Sequence, residues 1–463
     1  MRKFLALLIL LGIVAAGAYI YAGRLPGPAI DITNPVRFVG QSTPLDVVID
    51  APGTAVSSVS VDFEQNGQVT RLAERGAGET AAHVTDDGPE RVRVTHVIGR
   101  DAVPSIVQGP ARVVVTATRP VLFGWRQATT TVARDVEVRL QPPTLAVLST
   151  HHYVNQGGAE MVVYRVSPAD VESGVIVGDV EYPGYPASGA APAGFASADP
   201  AVRIAFFAVL YDQAVTTPIR LFARDEAGNS ATVPFDTRTF AKPARESRIG
   251  LDDRLIERVV PAILSGTTEI APEGSTLEKF LAINGDLRRR NNETIASYAA
   301  TSAPEMLWGG AVFHPFTNTA VQSAFADRRT YVYQGRDVDR QVHLGFDLAS
   351  TAMAPIPAAN RGTVVHAAEL GIYGNCVIID HGFGVQSLYA HLSSIGVPVG
   401  ATVEKGQEIG RSGITGLAGG DHLHFTMLVN GQMVNPIEWW DPKWTEDRVM
   451  RKLRELGQGS STP

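Results

Sequence analysis

Asp421-His422-Leu423-His424-Phe425-Thr426-Met427-Leu428-Val429 is the stretch on which the reading of this chain turns. Alternate side chains of an extended strand leave from the same face, so His422 and His424 point together. Metal-binding imidazoles on a helix need i, i+4 spacing instead, and Phe425, Met427, Leu428 and Val429 suit a strand. The chemistry is therefore expected on a β-sheet. Upstream, His343-Leu-Gly345-Phe-Asp347 adds a third imidazole and a carboxylate. Its glycine and the following Leu348-Ala349-Ser350 favour an irregular turn out of a strand over a helix. Two imidazoles and one carboxylate match the ligand count of a catalytic zinc, which takes three protein donors and keeps a fourth position open. The spare histidine would stand beside that position.

Each motif is weak alone, because the chain has eleven histidines and a solvated turn would accept His343-x-Gly-x-Asp347. They gain weight from their order, with Tyr389-Ala-His391-Leu392 and the glycine-rich approach Ser412 to Asp421 lying between them. Neighbouring residues receive plainer readings. His381, at the end of an apolar run, is expected to be a structural hydrogen-bonding histidine, and His366 and His314 strand or loop residues. Cys376, in Asn375-Cys-Val-Ile-Ile, is expected to be a buried core thiol. Asp421 either orients an imidazole or is a solvated loop acid.

From about Ser323 to Trp440, roughly a quarter of the chain, the sequence resembles the lysostaphin-type, or LytM-like, zinc peptidases of family M23, which cut peptidoglycan. The residues that carry the resemblance are His343-Leu-Gly345-Phe-Asp347, Tyr389-Ala-His391-Leu392 and His422-Leu-His424-Phe425. It implies that His343, Asp347 and His424 bind one Zn2+ per chain, with His422 and His391 flanking the open position. His422 is then the expected general base, and His391 its partner in the base role or the stabiliser of the oxyanion. Thr426 stands where many members carry Glu; the expectation is that this affects substrate contacts rather than chemistry.

Gly362-Thr-Val-Val-His-Ala-Ala, Asn375 to Asp380, Val385 to Ala390 and His422 to Val429 read as short strands separated by glycine turns. Val397 to Arg411 reads as a hairpin-like element. Such an antiparallel sheet leaves an open groove suited to an extended peptide.

Arg2-Lys3 precedes an uncharged apolar run from Phe4 to Ala22. This approaches the roughly 20 residues needed to cross a bilayer. Residues 1–24 are read as an uncleaved transmembrane signal anchor with the bulk of the chain in the periplasm at the inner membrane; a signal peptide cleaved near Ala16-Gly-Ala18 is the competing reading. The 463 residues suggest about three domains, the single cysteine excludes an intrachain disulfide, and the net charge of -7 argues against a nucleic-acid partner.

The expected fold is mainly β. Residues 28–141 and 142–242 read as two immunoglobulin-like β-sandwich modules, joined at Gln141-Pro-Pro, that serve as spacers or docking surfaces for envelope proteins. Residues 247–305 read as a helical linker, from apolar residues at helical spacing in Asp252 to Leu264 and Leu277 to Arg288. It is either a plain connector or a cover over the groove. Residues 306–442 form the antiparallel β peptidase domain, and 443–463 a C-terminal helix or tail. The function expected is a membrane-anchored zinc endopeptidase acting on peptidoglycan peptide stems; the alternative is a non-catalytic LytM-like scaffold or activator of another hydrolase.

Overall fold

The computed structural model describes residues 2–76, 83–195, 197–243, 245–314 and 316–459. It comprises two units, one of Met1–Pro143 with Arg224–Ser230 and one of Thr144–Ala223 with Ala231–Pro463. Strands dominate both, as the sequence predicts.

In the first unit the apolar run is one helix, Arg2–Ala22, of which Lys3–Ala22 is long and apolar enough to cross a membrane. The strands that follow alternate cleanly. In Ser58–Gln65 every second residue is buried, placing Val59, Val61 and Phe63 on one face. A four-stranded and a five-stranded sheet share one core, to which Val47, Ile49, Val61, Val113 and Val115 contribute.

In the second unit one continuous core runs through strands such as Ala159–Ser167 and Val202–Ala208, the helices, and the C-terminal sheet. The helical segment starts later than expected. Glu246–Leu251 is a strand lying parallel to Asp327–Tyr333. The first helix, Asp253–Gly266, begins at Asp252, whose side chain accepts a hydrogen bond from Leu255 N–H. A capping box formed by Ser275 and Glu278 starts the next helix, Thr276–Ala282. That helix runs through a π-turn, Ile283–Leu287, into Arg288–Ser297.

The C-terminal sheet has the order Ala320–Ser323, Phe346–Ala349, Leu423–Val429, Val385–Leu392, Asn375–Gly382, Gly362–Glu369 and Thr402–Val403. Val385–Leu392 and Leu423–Val429 are buried at every position, including the polar Gln386, Ser387, His391, His424 and Thr426. The hairpin-like element expected at Val397 to Arg411 closes slightly upstream: Ser394–Ile395, just before Val397, pairs antiparallel with Glu408–Arg411, and Gly396 N–H donates to Ile409 O at 2.8 Å. Two of its pairings reach further away in sequence, Thr402–Val403 with Gly362 and Thr363, and Glu408–Arg411 with Pro355–Pro357.

Candidate metal centre

Strand register assembles the site. Asp347 is the antiparallel partner of His424, so the two side chains share one face of the sheet. The turn after His343 is short, and the chain re-enters a strand at Phe346. Gly345 within that turn is forced: a Cβ there would meet Thr426 Oγ1 and the His424 ring. His391 arrives by a different device. Asn375 pairs with Leu392 but Val377 pairs with Tyr389, a bulge that breaks the alternation. His391 takes φ 62°, a left-handed conformation uncommon for a non-glycine residue, while Tyr389 turns into the core to accept from Ala359 N–H at 2.7 Å.

His343 Nε2 lies 2.9 Å from Asp347 Oδ1, His424 Nδ1 lies 3.0 Å from the same oxygen, and the two nitrogens are 3.0 Å apart. All three residues are buried. The other end of each group is already engaged. His343 Nδ1 donates to Ala324 O at 3.1 Å, His424 Nε2 is 3.3 Å from Thr426 Oγ1, and Asp347 Oδ2 accepts from Arg329 Nη2 at 3.0 Å. With the ring protons assigned by these bonds, three lone pairs converge with no proton between them. A cation makes such a triangle favourable. Tetrahedral zinc ligands at about 2.0–2.1 Å from the metal stand roughly 3.3 Å apart, so an outward shift of a few tenths of an ångström would admit the ion. The donor set fits zinc.

Two more imidazoles flank the triangle. His422 Nε2 is 3.5 Å from Asp347 Oδ1, and the His391 and His422 ring centroids are 4.9 Å apart. His422 Nδ1 donates to Gly420 O and His391 Nδ1 to Thr415 O, both at 2.8 Å. Burial, reinforced by His422 and His424, pushes the His391 pKa well below the usual imidazole value, and burial takes His424 down to about 4. Burial would also depress His422, but its bond to Asp347 outweighs this and raises it. At Asp347 burial opposes ionisation, and the surrounding imidazoles overcome it, holding the carboxyl well below its normal range.

All five expected residues thus meet in one place, around a cavity of ≈ 100 Å³. The other histidines lie elsewhere. His381 bonds Arg361 O and Ser387 Oγ at 2.7 Å, and His366 bonds Tyr298 OH. Cys376 is fully buried, and burial raises its thiol pKa strongly. Asp421 touches neither imidazole: it accepts from Ser412 Oγ and Met353 N–H. The expectation for Thr426 needs correction. It is fully buried, donates to Leu344 O and meets His424 Nε2, so it orients an imidazole instead of facing substrate. Arg329 is a residue that motif reading missed. It comes from the neighbouring strand Asp327–Tyr333, in which Asp327 pairs with His343.

An antiparallel sheet here gathers two imidazoles and a carboxylate that could hold a metal ion, with two further histidines beside them. Residues 341–436 match the pattern of Peptidase family M23, and the chain carries an M23 domain at its C-terminal end. The chain is similar to DD-carboxypeptidase/endopeptidase Mpg of Neisseria meningitidis serogroup B, 36% identical over 129 residues, covering 28% of this chain and 29% of that protein. It is also similar to peptidoglycan DD-endopeptidase ShyA of Vibrio cholerae serotype O1, 28% identical over 215 residues, covering 44% of this chain and 47% of that protein. Each match spans less than half of the relative's own length. Among solved structures, a peptidase M23 protein of Pseudomonas aeruginosa is 20% identical with a TM-score of 0.37, covering 62% of this chain and 93% of that one.

Proposed function

We propose that the chain is a zinc endopeptidase that hydrolyses peptide crosslinks of peptidoglycan, with His343, Asp347 and His424 holding the metal. The observation that carries this reading is the convergence of three donor atoms within 3.0 Å, each braced from behind, next to two more imidazoles. When bound, zinc supplies a Lewis acid for the scissile carbonyl and promotes ionisation of the attacking water near neutral pH. His422 serves as the general base. Its Nδ1 proton is held by Gly420 O, so Nε2 is left to take the proton of the water and return it to the departing amine. His391, held neutral with its Nδ1 on Thr415 O, presents Nε2 as a second acceptor that orients the water. The relatives named as DD-endopeptidases support the substrate class, and the apolar helix Lys3–Ala22 supports a single-pass anchor with the bulk of the chain on the wall side of the membrane.

The test is digestion of sacculi by full-length protein in detergent micelles, with mass analysis of the released muropeptides. Zinc-loaded protein is expected to release crosslink-cleaved products and chelated protein none. His422→Ala should lower the rate by about 10²–10⁴-fold. Zinc-independent release, or none at all, would sink the reading, and the second result would favour the scaffold.

A further inference from the structure

A second cavity, of ≈ 400 Å³, is lined by residues including Arg288, Asn292, Gln341, Leu344 and the ion pair Arg289–Glu293, whose charges offset each other at 2.8 Å. It neighbours the cavity over the triangle: Arg288 lines both, and Leu344 directly follows His343. Arg288 begins its helix immediately after the π-turn Ile283–Leu287, a local irregularity that frequently marks function. Its guanidinium is fixed. Nε donates to Asn284 O at 3.0 Å and Nη2 to Asn284 Oδ1 at 2.6 Å. Asn284, itself fully buried, is tethered in turn by donating to Asp339 Oδ2 at 2.7 Å.

Both bonds from Arg288 go to a neutral residue, and among the described residues no carboxylate pairs with it. A half-buried guanidinium without a counter-ion is costly to desolvate. The π-turn, the buried asparagine and the shared position hold that charge between two cavities. Its planar fork suits a carboxylate, which it can engage through paired, charge-assisted hydrogen bonds. Arg329, already bonded to Asp347, lines the smaller cavity and adds positive potential on the same side.

We infer that Arg288 anchors a carboxylate subsite, so that the chain selects stem peptides bearing a free carboxylate near the scissile amide, with the larger cavity receiving the adjoining residue. This rests on the endopeptidase reading for the nature of the peptide. The carboxylate preference itself is measured without turnover.

Binding to the full-length protein in micelles is measured by calorimetry with two probes, a soluble stem tetrapeptide and the same peptide with its carboxylates amidated. The parent is expected to bind the free-carboxylate peptide at least about tenfold more tightly, and Arg288→Gln to bind the two equally. On sacculi, Arg288→Gln should raise KM more than it lowers kcat. Equal binding of both peptides by the parent overturns the inference, as does a glutamine variant that keeps the preference. If Arg288→Gln does not fold, Arg288→Met, which keeps the apolar stem and removes the charge, gives the same readout, and an unchanged preference there is equally fatal. A carboxylate preference without wall cleavage would remove the proposed reaction and leave the subsite. Cleavage with no preference would do the reverse.

Discussion

Gly345 shows how a single residue can be dictated by its neighbours. The His424 ring and Thr426 Oγ1 occupy the space that a side chain would need, so Gly345→Ala should displace the imidazole while leaving the sheet intact. The expected result is reduced zinc retention in a chelator-competition assay, with an unchanged far-UV spectrum. Thr426 and Arg329 act from behind the proposed ligands, one on His424 Nε2 and the other on Asp347 Oδ2. Thr426→Val and Arg329→Gln are each expected to weaken zinc binding by about 10–100-fold, read by the same competition. Wild-type affinity in both variants would show that the bracing bonds are incidental. The five histidine and aspartate positions could be picked out in the sequence because short motifs carry them. Arg329 and Arg288 could not, because they reach the site from a strand and a helix whose own sequences give no sign of what lies opposite.

At the scale of elements, legibility followed locality. Asn375–Gly382 is legible because its apolar run Cys376–Ile379, lying between Gly374 and Gly382, needs no knowledge of its partner. Glu246–Leu251 is not, since its strand character comes from pairing with residues some eighty positions later. The C-terminal helix Arg451–Gly459 is another long-range case. It is attached by Lys452, whose Nζ donates to Glu160 Oε1 and Met161 O at 2.7 Å, with both charged side chains almost wholly buried. Without Lys452 the buried Glu160 carboxylate loses its direct ion pair and keeps only the N–H groups of Tyr153 and Met161 and the more distant Arg448 guanidinium at 3.6 Å. Lys452→Met should therefore destabilise the second unit by about 3–5 kcal/mol in urea denaturation, and adding Glu160→Gln should restore much of that loss. A double variant no more stable than the single one would contradict this account.

For the molecule as a whole, two buried histidines weaken the second unit in acid, opposed by Glu438, whose carboxyl pKa burial raises to about 7. His152 bonds Ser149 Oγ and Asp236 O, and His381 bonds Arg361 O and Ser387 Oγ. Burial lowers the pKa of each to about 4. The folded chain therefore keeps both rings neutral while the unfolded chain protonates them near 6.5. Their stabilising contribution is complete above about pH 6.5 and is lost as pH falls toward 4, by about 3 kcal/mol for each ring. His381→Gln should be less stable than the parent at pH 7.5, yet lose less stability between pH 7 and 4.5 in denaturant titrations; a parallel decline would count against the assignment. The lone thiol has a practical corollary. Because Cys376 is sealed in the core and its pKa is raised, the native protein should be silent to maleimides. A cysteine introduced on the exposed side of helix Asp253–Gly266 could then carry a single fluorophore, so that movement of that helix on mixing with sacculi could be followed in the otherwise unaltered chain.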